Sequence, residues 1–168
     1  MELISNSWDW KTASSAAKNG HLHILEYLVE RKFDKYSAHA WACERAASEG
    51  HLECLKYLRE EVKAPWNSWT ANWAAERGHL HILEYLVERK YDKYEVRACK
   101  YAAIHGQLDC LKYLHETAKA PWDSEAVREA HENNHTDCVQ YLLDNDCPLP
   151  EGWQYEHGEL NVPESESE

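Results

Sequence analysis

The chain has one phenylalanine and one methionine in 168 residues, against eight tryptophans and ten tyrosines. Its large side chains are therefore mostly rings with a polar edge, suited to places where one side is apolar and the other meets water or a partner. Apolar runs are short: the hydrophobic share is an ordinary 43%, yet no run approaches the ~18 residues of a membrane-crossing helix. The first ten residues, MELISNSWDW, have neither the basic start nor the apolar stretch of a secretory signal. Basic residues are outnumbered, 18 Lys and Arg against 30 Asp and Glu, and the formal net charge is −12. Such a chain repels phosphate backbones, so neither nucleic acid nor membrane is the expected ligand.

Glycine is also scarce. Four of the six glycines mark repeat turns, which leaves no glycine-rich phosphate loop, and Gly-x-Ser-x-Gly is absent. None of the six cysteines forms the close Cys-x-x-Cys pair of a structural zinc site. No cofactor is expected, and these absences point away from an enzyme.

What is present is repetition. GHLHILEYLVERKFDKY, from Gly20 to Tyr36, returns at Gly78 to Tyr94 with one change, Phe33 becoming Tyr91. The finer landmark is Gly-His-Leu at Gly20, Gly50 and Gly78, then Gly-Gln-Leu at Gly106 and a worn Asn-His-Thr at Asn134, with steps of 30, 28, 28 and 28 residues. A fixed period of this size marks stacked supersecondary units. An alanine-rich segment precedes each full landmark, with Ala-Ala at 16–17, 46–47, 74–75 and 102–103. Alanine is the best helix former, and paired small residues let helices approach closely. After the landmark, apolar residues such as Leu52, Leu55 and Leu58 recur at helical spacing among charges. Glycine between the two segments suits a left-handed residue that ends one helix and turns into the next.

Trp8-Asp9, Trp66-Asn67 and Trp122-Asp123 lie at one place in the frame, where Asp and Asn are strong N-caps and Pro65 and Pro121 stop the preceding chain. Tyr36 and Tyr94 take the Trp place in alternate units. Units one and three share the loop ERK(F/Y)DKY, and units two and four share KAPW. An ABAB pattern thus overlies the basic period, followed by a degenerate fifth unit.

AAERGHLHILEYLVER and AASEGHLECLKYLREE resemble the ankyrin repeat, whose core reads roughly A-A-x-x-G-H-x-x-hydrophobic-hydrophobic-x-x-L. The resemblance spans residues 9–147. It departs from the family in period, 28 residues instead of 33, which leaves little room for a full β-hairpin finger, and in lacking the usual Thr-Pro-Leu-His opening. It is similar to the compact, Trp-rich arrays of eukaryotic microbes and giant viruses, some of which are secreted effectors acting inside a host cell. The resemblance implies an all-α solenoid of stacked helix–turn–helix units. The expected array occupies 1–150, with units at 8–35, 36–65, 66–93, 94–121 and 122–149, and 151–168 forms an acidic, partly disordered cap or tail.

The resemblance further implies that the first helices and the loops before them line a concave binding face. Candidate contact residues are then Trp10, Trp41, Trp69, Trp73 and Tyr101, with Lys18, Glu49, Arg77 and His105 at the turns. Trp69 and Trp73 are four apart, hence on one side of a helix. Trp and Tyr anchors with Arg nearby match the composition of a binding hot spot. The bland alternative is that some of these rings only fill space beside the alanine pairs.

Cys43 and Cys99 share one repeat position, while Cys54, Cys110 and Cys138 share another that is Ile24 and Ile82 elsewhere. Cysteine there stands in for a buried apolar residue. Reduced core thiols are expected, although Cys43–Cys54 and Cys99–Cys110 bridges across the turn are conceivable, and reduced thiols fit cytoplasm or nucleus. HENNH, His131 to His135, matches the zinc-protease signature His-Glu-x-x-His, which needs both imidazoles on one continuous helix. Here Asn134 falls at the interhelix turn, so the helix is expected to break between His131 and His135. The paired histidines of HLH are expected to be turn and surface residues. The tail ELNVPESESE is polar and acidic, and chain beyond about residue 158 is expected to be mobile, unless Trp153 and Tyr155 fold back over the last unit. Ser165 and Ser167 among glutamates weakly match acid-directed phosphorylation.

The expectation is a monomeric, non-catalytic module that binds a partner protein through its first-helix face, with an effector role as one setting. A zinc hydrolase using His131, Glu132 and His135, and an assembly protein associating through its array ends, are the alternatives.

Overall fold

The computed structural model describes residues 10–31 and 36–163. Among them, helices follow one another in pairs: α1 (Trp10–Lys18) with α2 (Leu22–Glu30), α3 (Tyr36–Ser48) with α4 (Leu52–Glu60), α5 (Ser68–Glu76) with α6 (Leu80–Glu88), α7 (Val96–Ile104) with α8 (Leu108–Glu116), and α9 (Ser124–Glu132) with α10 (Thr136–Asp144). First helices stack in a row, α1 on α3, α3 on α5, α5 on α7 and α7 on α9, and second helices form the outer row. The result is an all-α solenoid with one small β-hairpin at its C-terminal end. No described helix is long and apolar enough to cross a membrane.

The turn within each pair explains the alanine and glycine pattern. Gly20, Gly50, Gly78 and Gly106 have φ of +69, +74, +74 and +64°, and Asn134 has +61°. In the third pair the amide of His79 donates to Ala74 O at 2.8 Å and that of Gly78 to Ala75 O at 3.3 Å. This double closure is the Schellman motif, so the Ala-Ala pair supplies the carbonyls that the turn satisfies. The same alanines are fully buried, and their lack of bulk sets the spacing of the first-helix row.

The residue after the landmark sits in the turn, as the HLH pattern implied, and also fastens neighbouring units together. His79 Nε2 donates to Ser48 O at 3.0 Å, His135 Nε2 to Ile104 O at 2.9 Å, and Gln107 Nε2 to Glu76 O at 3.5 Å. Each side chain lies across the landmark glycine of the preceding unit. These residues occupy helix N-cap positions without making a side-chain cap bond, because their polar atoms reach back along the array. Burial holds the His79 imidazole below its ordinary pKa, against the opposing pull of the Ser48 carbonyl.

Helix starts follow the sequence signals where these are described. Asn67 Oδ1 accepts from the Trp69 amide and Asp123 Oδ1 from that of Glu125, both at 3.1 Å. The Trp8-Asp9 signal lies outside the described residues. Unit two differs, for its first helix begins at Tyr36 itself and runs 13 residues instead of 9, which accommodates the two extra residues before Gly50.

The two loop types have different backbones. Lys63 and Lys119, 56 residues apart, take positive φ in the KAPW loops, and Lys90 and Asp146, again 56 apart, take it in the other type. In the fifth unit the Cys147 amide donates to Leu142 O at 3.0 Å, as that of Tyr91 donates to Leu86 O at 2.9 Å in the third. The worn fifth unit thus has the loop of unit three, and the alternation extends by one step.

The expectation of mobile chain beyond about residue 158 is corrected at its start. Strands β1 (Gln154–Glu156) and β2 (Glu159–Asn161) pair antiparallel, Tyr155 opposite Leu160. His157 and Gly158 between them have φ of +55 and +84°, the two left-handed residues that a tight hairpin turn requires. Trp153 packs edge-on against His131 at 5.1 Å, Gln140 Nε2 donates to Tyr155 Oη at 3.3 Å, and Tyr155 and Leu160 rest against the last unit's apolar side chains. Ser165 and Ser167 lie outside the described residues.

Candidate functional site: an aromatic row on the first helices

Counting back from the landmarks at 50, 78, 106 and 134, two positions on the first helices carry large or charged side chains. Nine before it stand Trp41, Trp69, Arg97 and Glu125; five before it stand Arg45, Trp73, Tyr101 and Glu129. Residues four apart share a helix face, so stacking the helices turns these positions into two parallel ladders. The Trp69 and Trp73 rings stack at 5.7 Å and 29°, and the Tyr101 ring lies 6.3 Å from Trp69. Arg97 places its guanidinium 5.7 Å from the Trp69 ring centre. In the following unit the ladder becomes ionic, with Lys100 Nζ 3.5 Å from Glu125 and 3.2 Å from Glu129.

Trp41 is 50% exposed, and Trp69, Trp73 and Tyr101 are half-buried. None is core. Trp66, by contrast, is 7% exposed and has the Arg59 guanidinium 4.5 Å from its ring centre. Between α3 and α5 the indoles bound a cavity of about 480 Å³ lined by Ala40, Trp41, Glu44, Asn67, Trp69 and Trp73. Glu44 is only 8% exposed, and its Oε1 accepts from Asn67 Nδ2 at 2.8 Å.

The structure therefore brings four of the nine candidate residues together: Trp41, Trp69, Trp73 and Tyr101, while Lys18 ends α1. Trp10 opens α1, with its side chain outside the described set. Glu49, Arg77 and His105 sit in the interhelix turns, a helical turn beyond the aromatic row. There Arg77 pairs with Glu76 at 3.8 Å, and His105 Nδ1 lies 3.2 Å from Tyr101 O. Sequence reasoning passed over Glu44 and Arg97. The signals for them were present: Glu44 follows Trp41 by three residues, and Arg97 precedes Tyr101 by four, at the repeat position of the two exposed tryptophans.

The zinc-protease pattern does not form its site. Helix α9 ends at Glu132, Asn134 turns left-handed, and His135 is the N-cap residue of α10 with Nε2 spent on Ile104 O. All six cysteines are buried and free, so the Cys43–Cys54 and Cys99–Cys110 bridges are not made. Burial pushes the thiols of Cys43, Cys99, Cys110 and Cys147 up to about 12 and that of Cys138 to about 11, which makes them poor nucleophiles.

Helix pairs stacked at this period, closed by an Ala-Ala-x-x-Gly turn, define a class of repeat scaffold. The family model for ankyrin repeats matches residues 44–122, as three copies. Among solved structures, the crystal structure of the human ASB11 ankyrin repeat domain superposes with a TM-score of 0.61 at 18% identity, covering 80% of this chain and 69% of that one. None of the curated proteins matches the chain. Residues 44–122 thus match ankyrin repeats, and the described residues share the ankyrin-repeat fold.

Proposed function

We propose that the chain is a non-catalytic scaffold that binds a partner protein across α3, α5 and α7. The carrying observation is the aromatic row on the first-helix face, outside the core: the Trp69 ring lies 5.7 Å from that of Trp73 and 6.3 Å from that of Tyr101, and Trp41 lines the same cavity as the two indoles. Rings of this kind supply large contact area at little conformational cost, and Trp and Tyr dominate binding hot spots. Arrays of stacked repeats offer such an extended face as their binding surface. Glu49, Arg77 and His105 in the turns form the polar rim of that contact. The excess of carboxylates favours a basic protein partner and disfavours nucleic acid.

Six unbridged, buried thiols support action as a monomer in a reducing compartment, cytoplasm or nucleus. The same holds if the chain is a microbial effector delivered into a host cell. The test compares the intact chain with a variant carrying Trp41→Ala, Trp69→Ala, Trp73→Ala and Tyr101→Ala as baits in a quantitative pull-down, after circular dichroism establishes folding of both. A partner lost from the folded variant is the expected outcome. A folded variant that keeps every partner overturns the reading and moves the contact to the loops or the hairpin.

A further inference from the structure

Resting on that reading, we infer that the cavity between α3 and α5 receives an arginine side chain of the partner. Three indoles, Trp41, Trp69 and Trp73, form its walls, and Glu44 is the only charged side chain lining it among the described residues. A carboxylate this buried is costly unless hydrogen-bonded and paired. Among the described residues Glu44 has one neutral donor, Asn67 Nδ2 on its Oε1, and no ion pair, while a carboxylate offers about four acceptor sites. The site has no cation at its acidic end among the described residues, and it presents aromatic faces along the approach.

Arginine fits both features better than lysine. Its guanidinium is planar and weakly hydrated, stacks on aromatic faces, and presents a fork of N–H donors to a carboxylate, whereas an ammonium is a compact, strongly hydrated charge. The chain itself supplies a precedent on the same ladder, since Arg97 already lies 5.7 Å from the Trp69 ring centre. The other cation nearest in sequence to the cavity, Arg45, lies on α3 one turn from Trp41 and does not line it. The occupant therefore enters between the indoles with its fork towards the free edge of Glu44.

The probe is a pentapeptide with one arginine between glycines, titrated to millimolar concentration while the indole N–H resonances of the intact chain are followed by NMR. Those of Trp41, Trp69 and Trp73 are expected to shift saturably. A peptide with citrulline, the neutral isostere, is expected to bind at least ten-fold more weakly, as is the arginine peptide to a Glu44→Gln variant. Glutamine keeps an oxygen for Asn67 Nδ2, so this variant retains the fold, which its unchanged spectral dispersion checks. Equal response to arginine and citrulline, tighter binding of lysine or trimethyl-lysine peptides, or no response overturns the inference. A protein partner captured equally by the intact chain and Glu44→Gln, but lost from the quadruple aromatic variant, overturns this inference alone and leaves the proposed binding face standing.

Discussion

The landmark glycines face two demands at once. Gly50 has φ +74°, a region that costs an L-residue about 1–2 kcal/mol. A Cβ there would also stand 2.8 Å from the His79 ring, which is held in place by its bond to Ser48 O. Gly158 shares the backbone demand, at φ +84°, but has open space around it. Gly50→Ala is therefore expected to destabilise the fold by about 2–4 kcal/mol, combining strain with overpacking. Gly158→Ala is expected to cost only the strain, about 1 kcal/mol. Urea unfolding of both variants checks this, and equal losses would show that the histidine ladder yields freely. The positive φ was readable from the repeated glycine. The histidine lying over it was not, because its partner carbonyl is 31 residues earlier in the chain.

At the scale of elements, similar helix starts do unequal work. Asn67 and Asp123 both cap a helix with a bond of 3.1 Å, and removing such a cap costs about 1 kcal/mol. Asn67 also donates to Glu44 of the preceding unit, so Asn67→Ala strips a buried carboxylate of its donor as well. Asn67→Ala is expected to cost at least about 1 kcal/mol more than Asp123→Ala, as read from denaturant midpoints of the two variants. Equal costs would mean that Glu44 finds another donor. The outer helices repeat over two units in the same way. Trp66 lies under Arg59 and near Tyr85, whose hydroxyl donates to Glu60 at 3.0 Å. Trp122 stacks on His115 at 3.8 Å and near Tyr141, whose hydroxyl donates to Glu116 at 3.0 Å. The ABAB alternation seen in the loops is thus also an alternation of packing, built from residues 56 apart.

Across the whole molecule, the buried thiols link stability to pH. Desolvation raises Cys43, Cys99, Cys110 and Cys147 from 9.0 to about 12 in the folded state. Between these values the folded chain holds protons that the unfolded chain has released. Their stabilising effect is complete below about pH 9 and declines as pH rises through the window, by up to about 1.4 kcal/mol per pH unit for each group. The melting temperature is expected to be level from pH 7 to 8.5 and to fall progressively above pH 9, with the thiols unreactive towards a disulfide reagent until unfolding. A level melting temperature up to pH 11 would mean that the thiols meet water in the fold. Because these cysteines are distributed from α3 to the loop after α10, the loss is expected to be shared along the array.

The local signals and the repeat were determined by the sequence alone: the period, the Ala-Ala-Gly turns, the Asn67 and Asp123 caps, and the break that disables HENNH. Each depends on residues within a few positions of one another, where backbone conformation is a local matter. Repetition then implied the stack, because a lone helix pair cannot bury its apolar face. What only the tertiary structure decided involves neighbours one unit away. It set the histidine ladder, the loop type of the fifth unit, the hairpin over its end, and the meeting of Glu44 with three indoles. These contacts depend on the offset between stacked helices. That offset is set by how the small alanines allow two surfaces to approach, and no single segment of the chain encodes it.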